Sequence, residues 1–175
     1  MEYITYISLT LISATAVFAA SYYVLKTYLE NEQKKELLKI NSTNKKSVLP
    51  LRLQAYERMT IYLERIQPGT LINRCRKEGM TASDLHLSLL STIRTEYDHN
   101  AAQQIYIYEK TWEVIKISKE ETIAIINNAA AGIPPKADGK DLSKSILEQL
   151  MKFKERNLPT NKALRALKAD MTQYF

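Results

Sequence analysis

The sequence predicts an all-α protein, with an N-terminal transmembrane helix followed by a small cytoplasmic helical bundle built on one long central helix. Three observations predict it. Residues 3–25 contain no charged side chain. Beyond position 50, apolar residues recur at helical spacing and strand-like alternation is not sustained. Glycine and proline together number nine in 175 residues and mostly punctuate the periodic segments.

The charge-free stretch comes first. Its 23 residues, at about 1.5 Å rise each, make a helix of roughly 34 Å, long enough for a hydrocarbon core of about 30 Å. Tyr3 and Tyr6 stand near one end, and Tyr22, Tyr23 and Tyr28 near the other. Tyrosine favours the headgroup level because its ring is apolar and its hydroxyl wants water. Thr5, Ser8, Thr10, Ser13, Thr15 and Ser21 dilute the segment, but such hydroxyls can bond back to the helix backbone. The flanks give a direction. Glu2 precedes the stretch, whereas Lys26, Lys34, Lys35, Lys39, Lys45 and Lys46 follow it. Basic flanks stay on the cytoplasmic side, so the N-terminus is expected outside and the bulk inside. A cleaved signal peptide ending at Val17-Phe18-Ala19 would need a basic start, and Glu2 stands there instead. Ser13, Ala16 and Ala20 form a small-residue stripe, a candidate surface for packing against another transmembrane helix.

Residues 1–40 therefore read as anchor plus juxtamembrane extension, 41–46 (with Asn41-Ser42-Thr43-Asn44) as a polar linker, and 47–175 as one helical domain. Net charge is +6 and the pI about 9.3. Between Lys26 and Arg58 eight basic residues face four acidic ones, which suits anionic headgroups as well as a plain topology signal. No nucleic-acid module is visible, so no specific nucleic acid is expected. The single cysteine, Cys75, cannot pair internally and is expected to be structural.

Within the domain, Pro50 suits the first turn of a helix whose stripe is Leu53, Tyr56, Met59, Leu63 and Ile66, with Arg52, Glu57, Arg58, Glu64 and Arg65 mostly on the other sides. Pro68-Gly69 should end it, and a short turn over 70–77 should follow, closed by Gly79. Thr81 with Asp84 is a helix-start signature. The stripe Leu85, Leu89, Ile93, Tyr97, Ala101, Ile105, Tyr108, Trp112, Ile115, Thr122 and Ile126 then holds its phase, which predicts one long helix over 82–130, bent near Asp98-His99-Asn100, rather than two helices meeting there. Gly132 to Pro135 ends it. Asp141 or Ser143 should cap a helix burying Ile146, Leu150 and Phe153, and Thr160 a last one burying Leu164, Leu167 and Met171.

Candidate chemistry is sparse. Glu96 and His99, at i, i+3, make half of a di-iron signature, but no second Glu-x-x-His exists and the other histidine is His86. No phosphate loop, Cys-x-x-Cys or HExxH occurs, so no cofactor and no catalytic activity are expected; an unrecognised polar site near Glu96/His99 is the enzymatic possibility. Trp112, Tyr97 and Tyr108 lie on the core stripe, which leaves Tyr106, off its phase, as the aromatic interface candidate.

The runs 49–58 and 63–68, with Glu96-Tyr97-Asp98-His99-Asn100, Gln103-Gln104-Ile105-Tyr106 and Trp112, resemble a family of small bacterial single-pass membrane proteins carrying a helical domain of unknown function. The resemblance implies an inner-membrane anchor and a cytoplasmic helical domain, and it supplies no catalytic residue. The expected function is that of an interaction or accessory protein, with the bilayer contacted through residues 3–25 and an unknown protein partner or self-association. A second reading is an anionic-lipid or nucleic-acid binder using the basic juxtamembrane segment. Expected partner-contact residues are Arg52, Tyr56, Glu57, Arg58, His99, Asn100, Gln103 and Gln104.

Overall fold

The computed structural model describes residues 2–172, with the side chains of 4, 5, 8–10, 13, 37–47 and 156 outside the description. Its helices are α1 (Glu2–Arg65), α2 (Pro68–Cys75), α3 (Ala82–Asn100), α4 (Glu109–Ala131), α5 (Gly139–Met151) and α6 (Pro159–Met171), with short 3-10 turns at Ala101–Ile105 and Glu155–Asn157. No strand occurs among the described residues. The chain divides into two compact units, Met1–Leu49 and Pro50–Phe175.

The first unit is helical. Every described side chain from Glu2 to Glu36 is exposed, including Tyr3, Ile7, Leu11, Ile12, Val17, Phe18 and Leu25. The Thr15 hydroxyl donates to the carbonyls of Leu11 (3.0 Å) and Ile12 (2.8 Å), and that of Thr27 to Tyr23 (2.9 Å). Threonine is thus satisfied within the helix, as the sequence suggested. Among the described residues, however, no helix is long and apolar enough to cross a membrane. The helix expected over 3–25 is present, but its membrane-spanning character is not established; its hydroxyl-bearing residues dilute the apolar run. Residues 41–46, expected as a linker, are helical in backbone. Of the small-residue stripe, Ala16 and Ala20 are exposed, and the Ser13 side chain lies outside the described ones.

In the second unit, Pro50 lies inside α1 rather than in a first turn. A proline there offers no N–H to the preceding turn, and it begins this unit. The α1 segment from Pro50 buries Ala55, Tyr56, Met59, Tyr62 and Leu63, and Ile66 just past its end is buried too, while Leu53, expected in the stripe, is 38% exposed. Pro68 occupies the first turn of α2, where its missing N–H costs nothing. Gly79 takes φ +78°, a left-handed value that glycine adopts without strain.

The predicted start of α3 is a complete capping box. The Asp84 amide donates to Thr81 Oγ1 (3.2 Å), and the Thr81 amide and hydroxyl donate to Asp84 Oδ2 (3.2 and 2.7 Å). These bonds hold the Asp84 carboxyl below its ordinary pKa. Beside the box, the loop before α3 and the loop after α4 pair through their backbones. Ala82 N donates to Ala137 O (2.8 Å), Ser83 N to Pro135 O (3.1 Å) and Gly139 N to Met80 O (2.9 Å). A Cβ on Gly139 would sit 3.0 Å from the Met80 carbonyl oxygen, so the close approach uses its missing side chain. Asp138, not Asp141 or Ser143, caps α5 by accepting from the Lys140 amide (2.8 Å). Thr160 does not cap α6; it is buried, and Pro159 opens the helix.

The main correction concerns the centre. No single long helix covers 82–130. Helix α3 stops at Asn100, a 3-10 turn follows, and α4 starts anew after Tyr108, whose backbone is extended (φ −63°, ψ 137°). The Asn100 side-chain amide donates to the Glu96 carbonyl (2.7 Å), occupying an acceptor at the helix end. The chain reverses here, so α3 and α4 pack on one another, both pack on α5, and α4 packs on α6. Leu85, Leu89, Ile93, Ile115, Ile126, Leu142 and Ile146 are fully buried in one shared core.

Buried and exposed leucines of α3 should therefore respond differently. Leu89→Ala is expected to destabilise the protein by about 2–5 kcal/mol and Leu87→Ala by about 0.5 kcal/mol or less, measured by urea unfolding followed by circular dichroism. Equal losses would contradict the assigned face.

Candidate interaction surface

The polar cluster predicted at 96–104 is split by the structure. Glu96 turns toward α1 and α2. Arg65 Nη1 donates to both its oxygens (3.2 and 3.3 Å) and Arg74 Nη2 to Oε1 (2.9 Å). Arg74 also reaches the Arg65 carbonyl (3.5 Å). Burial alone would push the Glu96 pKa up, but the hydrogen bonds and charges of Arg74 and Arg65 outweigh it and hold the carboxyl below its ordinary value. His99 is exposed, and among the described residues no group of three or more metal-ligating side chains forms. The half di-iron signature thus resolves into an arginine clamp on one member and a solvated histidine.

Behind the clamp the rings of Tyr62, Tyr97 and Trp112 run in series, with centroids 6.0 and 5.8 Å apart, and Lys119 Nζ lies 4.2 Å over the Tyr97 ring. Trp112 and Tyr62 are buried and Tyr97 half-buried, so these aromatics belong to the core. Burial, with Tyr97, Glu120, Glu96 and Asp98 nearby, pushes the Tyr62 phenol well above its ordinary pKa.

Beyond Asn100 the connector, residues 101–108, is fixed from beneath by a group that sequence reasoning missed. Asp170 of α6 is only 3% exposed. Its Oδ2 accepts from the Tyr56 hydroxyl (2.9 Å) and the Tyr108 amide (3.2 Å). The only signal for it was an acid on the apolar side of the α6 stripe, between Leu167 and Met171. Ile107 points inward and is buried. Ile105 is consequently 73% exposed and Tyr108 50%. This reverses the sequence expectation, because Tyr106 packs against the core and Tyr108 is the presented ring.

Other predicted contact residues divide likewise. Tyr56 is buried, with its hydroxyl bonded to Asp170, and presents no contact surface. Glu57, Arg58, His99 and Gln104 are exposed, whereas Arg52, Asn100 and Gln103 are half-buried. The bonds of the Tyr56 hydroxyl and the Tyr108 amide to one Asp170 oxygen bring the end of the connector close to the Tyr56 hydroxyl of α1. Exposed apolar, aromatic and polar side chains on a fixed backbone can hold a protein partner.

A separate open cleft of about 310 Å³ lies where α3 begins and α4 ends, lined by Ala82, Ser83, His86, Asn127, Ala130 and Ile133 among others. His86 Nε2 is 2.8 Å from Asn127 Oδ1. Cys75 contacts the Thr92 hydroxyl (3.4 Å) and packs on the core.

The clamp predicts an acid-side effect. Because the folded pKa of Glu96 is depressed, its contribution is present above the unfolded value of about 4.3 and is lost as pH falls through the folded value. Glu96→Gln should flatten that part of the stability–pH curve and cost about 1 kcal/mol or less at neutral pH, since both arginines are partly exposed. Urea unfolding across acid and neutral pH checks it, and an unchanged acid slope would contradict the clamp.

Neither the curated proteins nor the solved structures contain a match to this chain. One family model does match, over residues 2–174, and is described as a family of unknown function (DUF7935). The match spans both compact units, including the connector and the clamp. The chain therefore belongs to the family of unknown function DUF7935.

Proposed function

We propose that this protein is a non-catalytic, membrane-anchored helical interaction or accessory protein of the bacterial inner membrane. Residues 3–25 hold it in the bilayer with the N-terminus outside, and the compact unit Pro50–Phe175 works in the cytoplasm. The observation that carries this reading is the helix over 3–25. It has no charged side chain, and all its described side chains are exposed. A helix that carries no charge on any face, and whose described side chains are unburied in protein, suits a lipid solvent better than a charged one would. The tyrosines near both ends and the lysines that follow support the placement and its direction.

Partner contact is assigned to the connector and its α1 border. Ile105 and Tyr108 supply the exposed apolar area, and His99, Gln104, Glu57 and Arg58 a polar rim. The occupant is an unidentified protein or a second copy of this chain; no specific nucleic acid is expected.

Two measurements on the full chain test the reading. After alkaline carbonate washing, wild type should stay in the membrane pellet. A Leu11→Arg/Val17→Arg variant should be released, because each charge at mid-span costs about 2.5–3.5 kcal/mol. Wild type in the supernatant would contradict the anchor. Cross-linked purification should recover a defined partner or a dimer. Ile105→Asp with Tyr108→Ala should abolish that recovery at an unchanged unfolding midpoint, and undiminished recovery would exclude the connector.

A further inference from the structure

Helix α5 departs from its predicted stripe in one place. Ile146 is fully buried and Leu150 partly, but Phe153, expected beside them, lies two residues past the helix end and is 42% exposed. Met151 is 83% exposed and Leu147 45%. Three large apolar side chains thus lie at and just past the C-terminal end of α5 with a large part of their surface open to water. Lysines surround them. Lys144, Lys152 and Lys154 are exposed. Lys144 lies 3.9 Å from Glu148, whereas Lys152 and Lys154 are in no ion pair among the described residues. Glu155 is the other exposed acid nearby.

Lysine is depleted from the centres of protein interfaces, because a strongly hydrated ammonium is costly to bury. At a bilayer the same pattern is favourable. Methionine and phenylalanine enter the boundary between headgroups and acyl chains, while lysine stems lie along it and keep their ammonium groups among the phosphates. We infer that the C-terminal end of α5 docks on an anionic lipid surface, with Met151 and Phe153 entering it and Lys152 and Lys154 meeting lipid phosphates. These residues are other than the lysines at 26–46, and docking through them does not require residues 3–25 to span a bilayer.

The test uses the full chain with Cys75→Ser and Met151→Cys, carrying an environment-sensitive dye at position 151. A control carries the dye through Leu87→Cys. Each is mixed with vesicles of phosphatidylcholine alone, or with about a third phosphatidylglycerol, containing nitroxide-quencher lipid. The dye at 151 is expected to be quenched in anionic vesicles and not in neutral ones, and the dye at 87 in neither. High salt should reverse the quenching, and Lys152→Gln with Lys154→Gln should weaken it by about thirtyfold, the order expected for losing two lysines at a charged surface. An unquenched dye at 151 on chains that float with anionic vesicles would overturn the inference. So would equal quenching in neutral vesicles. A dye response that rises with protein concentration without lipid would give the surface to a second copy and overturn it too. Flotation with neutral vesicles reports the N-terminal anchor by itself, so failure of that reading leaves the quenching result interpretable.

Discussion

The compact unit turns on one buried carboxylate. Asp170 sits near the end of α6, and its Oδ2 joins the Tyr56 hydroxyl of α1 to the Tyr108 amide at the start of α4. Three segments far apart in sequence meet on a single oxygen. Its Oδ1 has no hydrogen-bond partner among the described residues, so the group is half satisfied while almost fully buried. Such a group is costly unless its partners stay in place. Any packing of α1, α4 and α6 that separated Tyr56 or Tyr108 from Asp170 would strand it further. The carboxylate thereby favours the arrangement in which α1, α4 and α6 meet as they do here.

That selection explains the chain reversal and the surface it creates. At one end of α3 and α4, Asp170 holds the first turn of α4. At the other end, backbone bonds among Met80, Ala82, Ser83, Pro135, Ala137 and Gly139 tie the two flanking loops together. Between these fixtures the apolar faces of α3 and α4 pack together. Inside the connector, Ile107 is drawn into the core, so Ile105 and Tyr108 face outward. Their exposure follows from the fold and is presented on backbone that is already ordered, which lowers the entropy a partner must remove on binding.

Much of this was legible in residues. The capping box at Thr81 and Asp84, the buried faces of α1 and α3, and the membership of Trp112 in the core follow from spacing and side-chain chemistry. The break after Asn100 was harder to read, because the 3-10 turn and the extended residue at Tyr108 let the apolar pattern resume nearly in phase. Periodicity cannot distinguish a continuous helix from two helices whose connector preserves the count. Asp170 was easy to pass over for a different reason. An acid within a polar, lysine-rich helix reads as solvated, and only the position of Tyr56 in space reveals its partner. Phe153 and Thr160 show the same limit, since the last turn of a helix and the first are placed by tertiary contacts rather than by period.

The Tyr108 amide, in native-state hydrogen exchange of the full chain, tests the latch most directly. This amide precedes the regular bonding of α4, and the Asp170 carboxylate is the partner it has in the folded protein. Slow exchange at Tyr108 in wild type is expected, with loss of that protection in Asp170→Ala while the amides of Leu89 and Ile93 in α3 stay protected. Exchange of the wild-type Tyr108 amide at the rate of a free peptide would contradict the carboxylate as the element that fixes the connector.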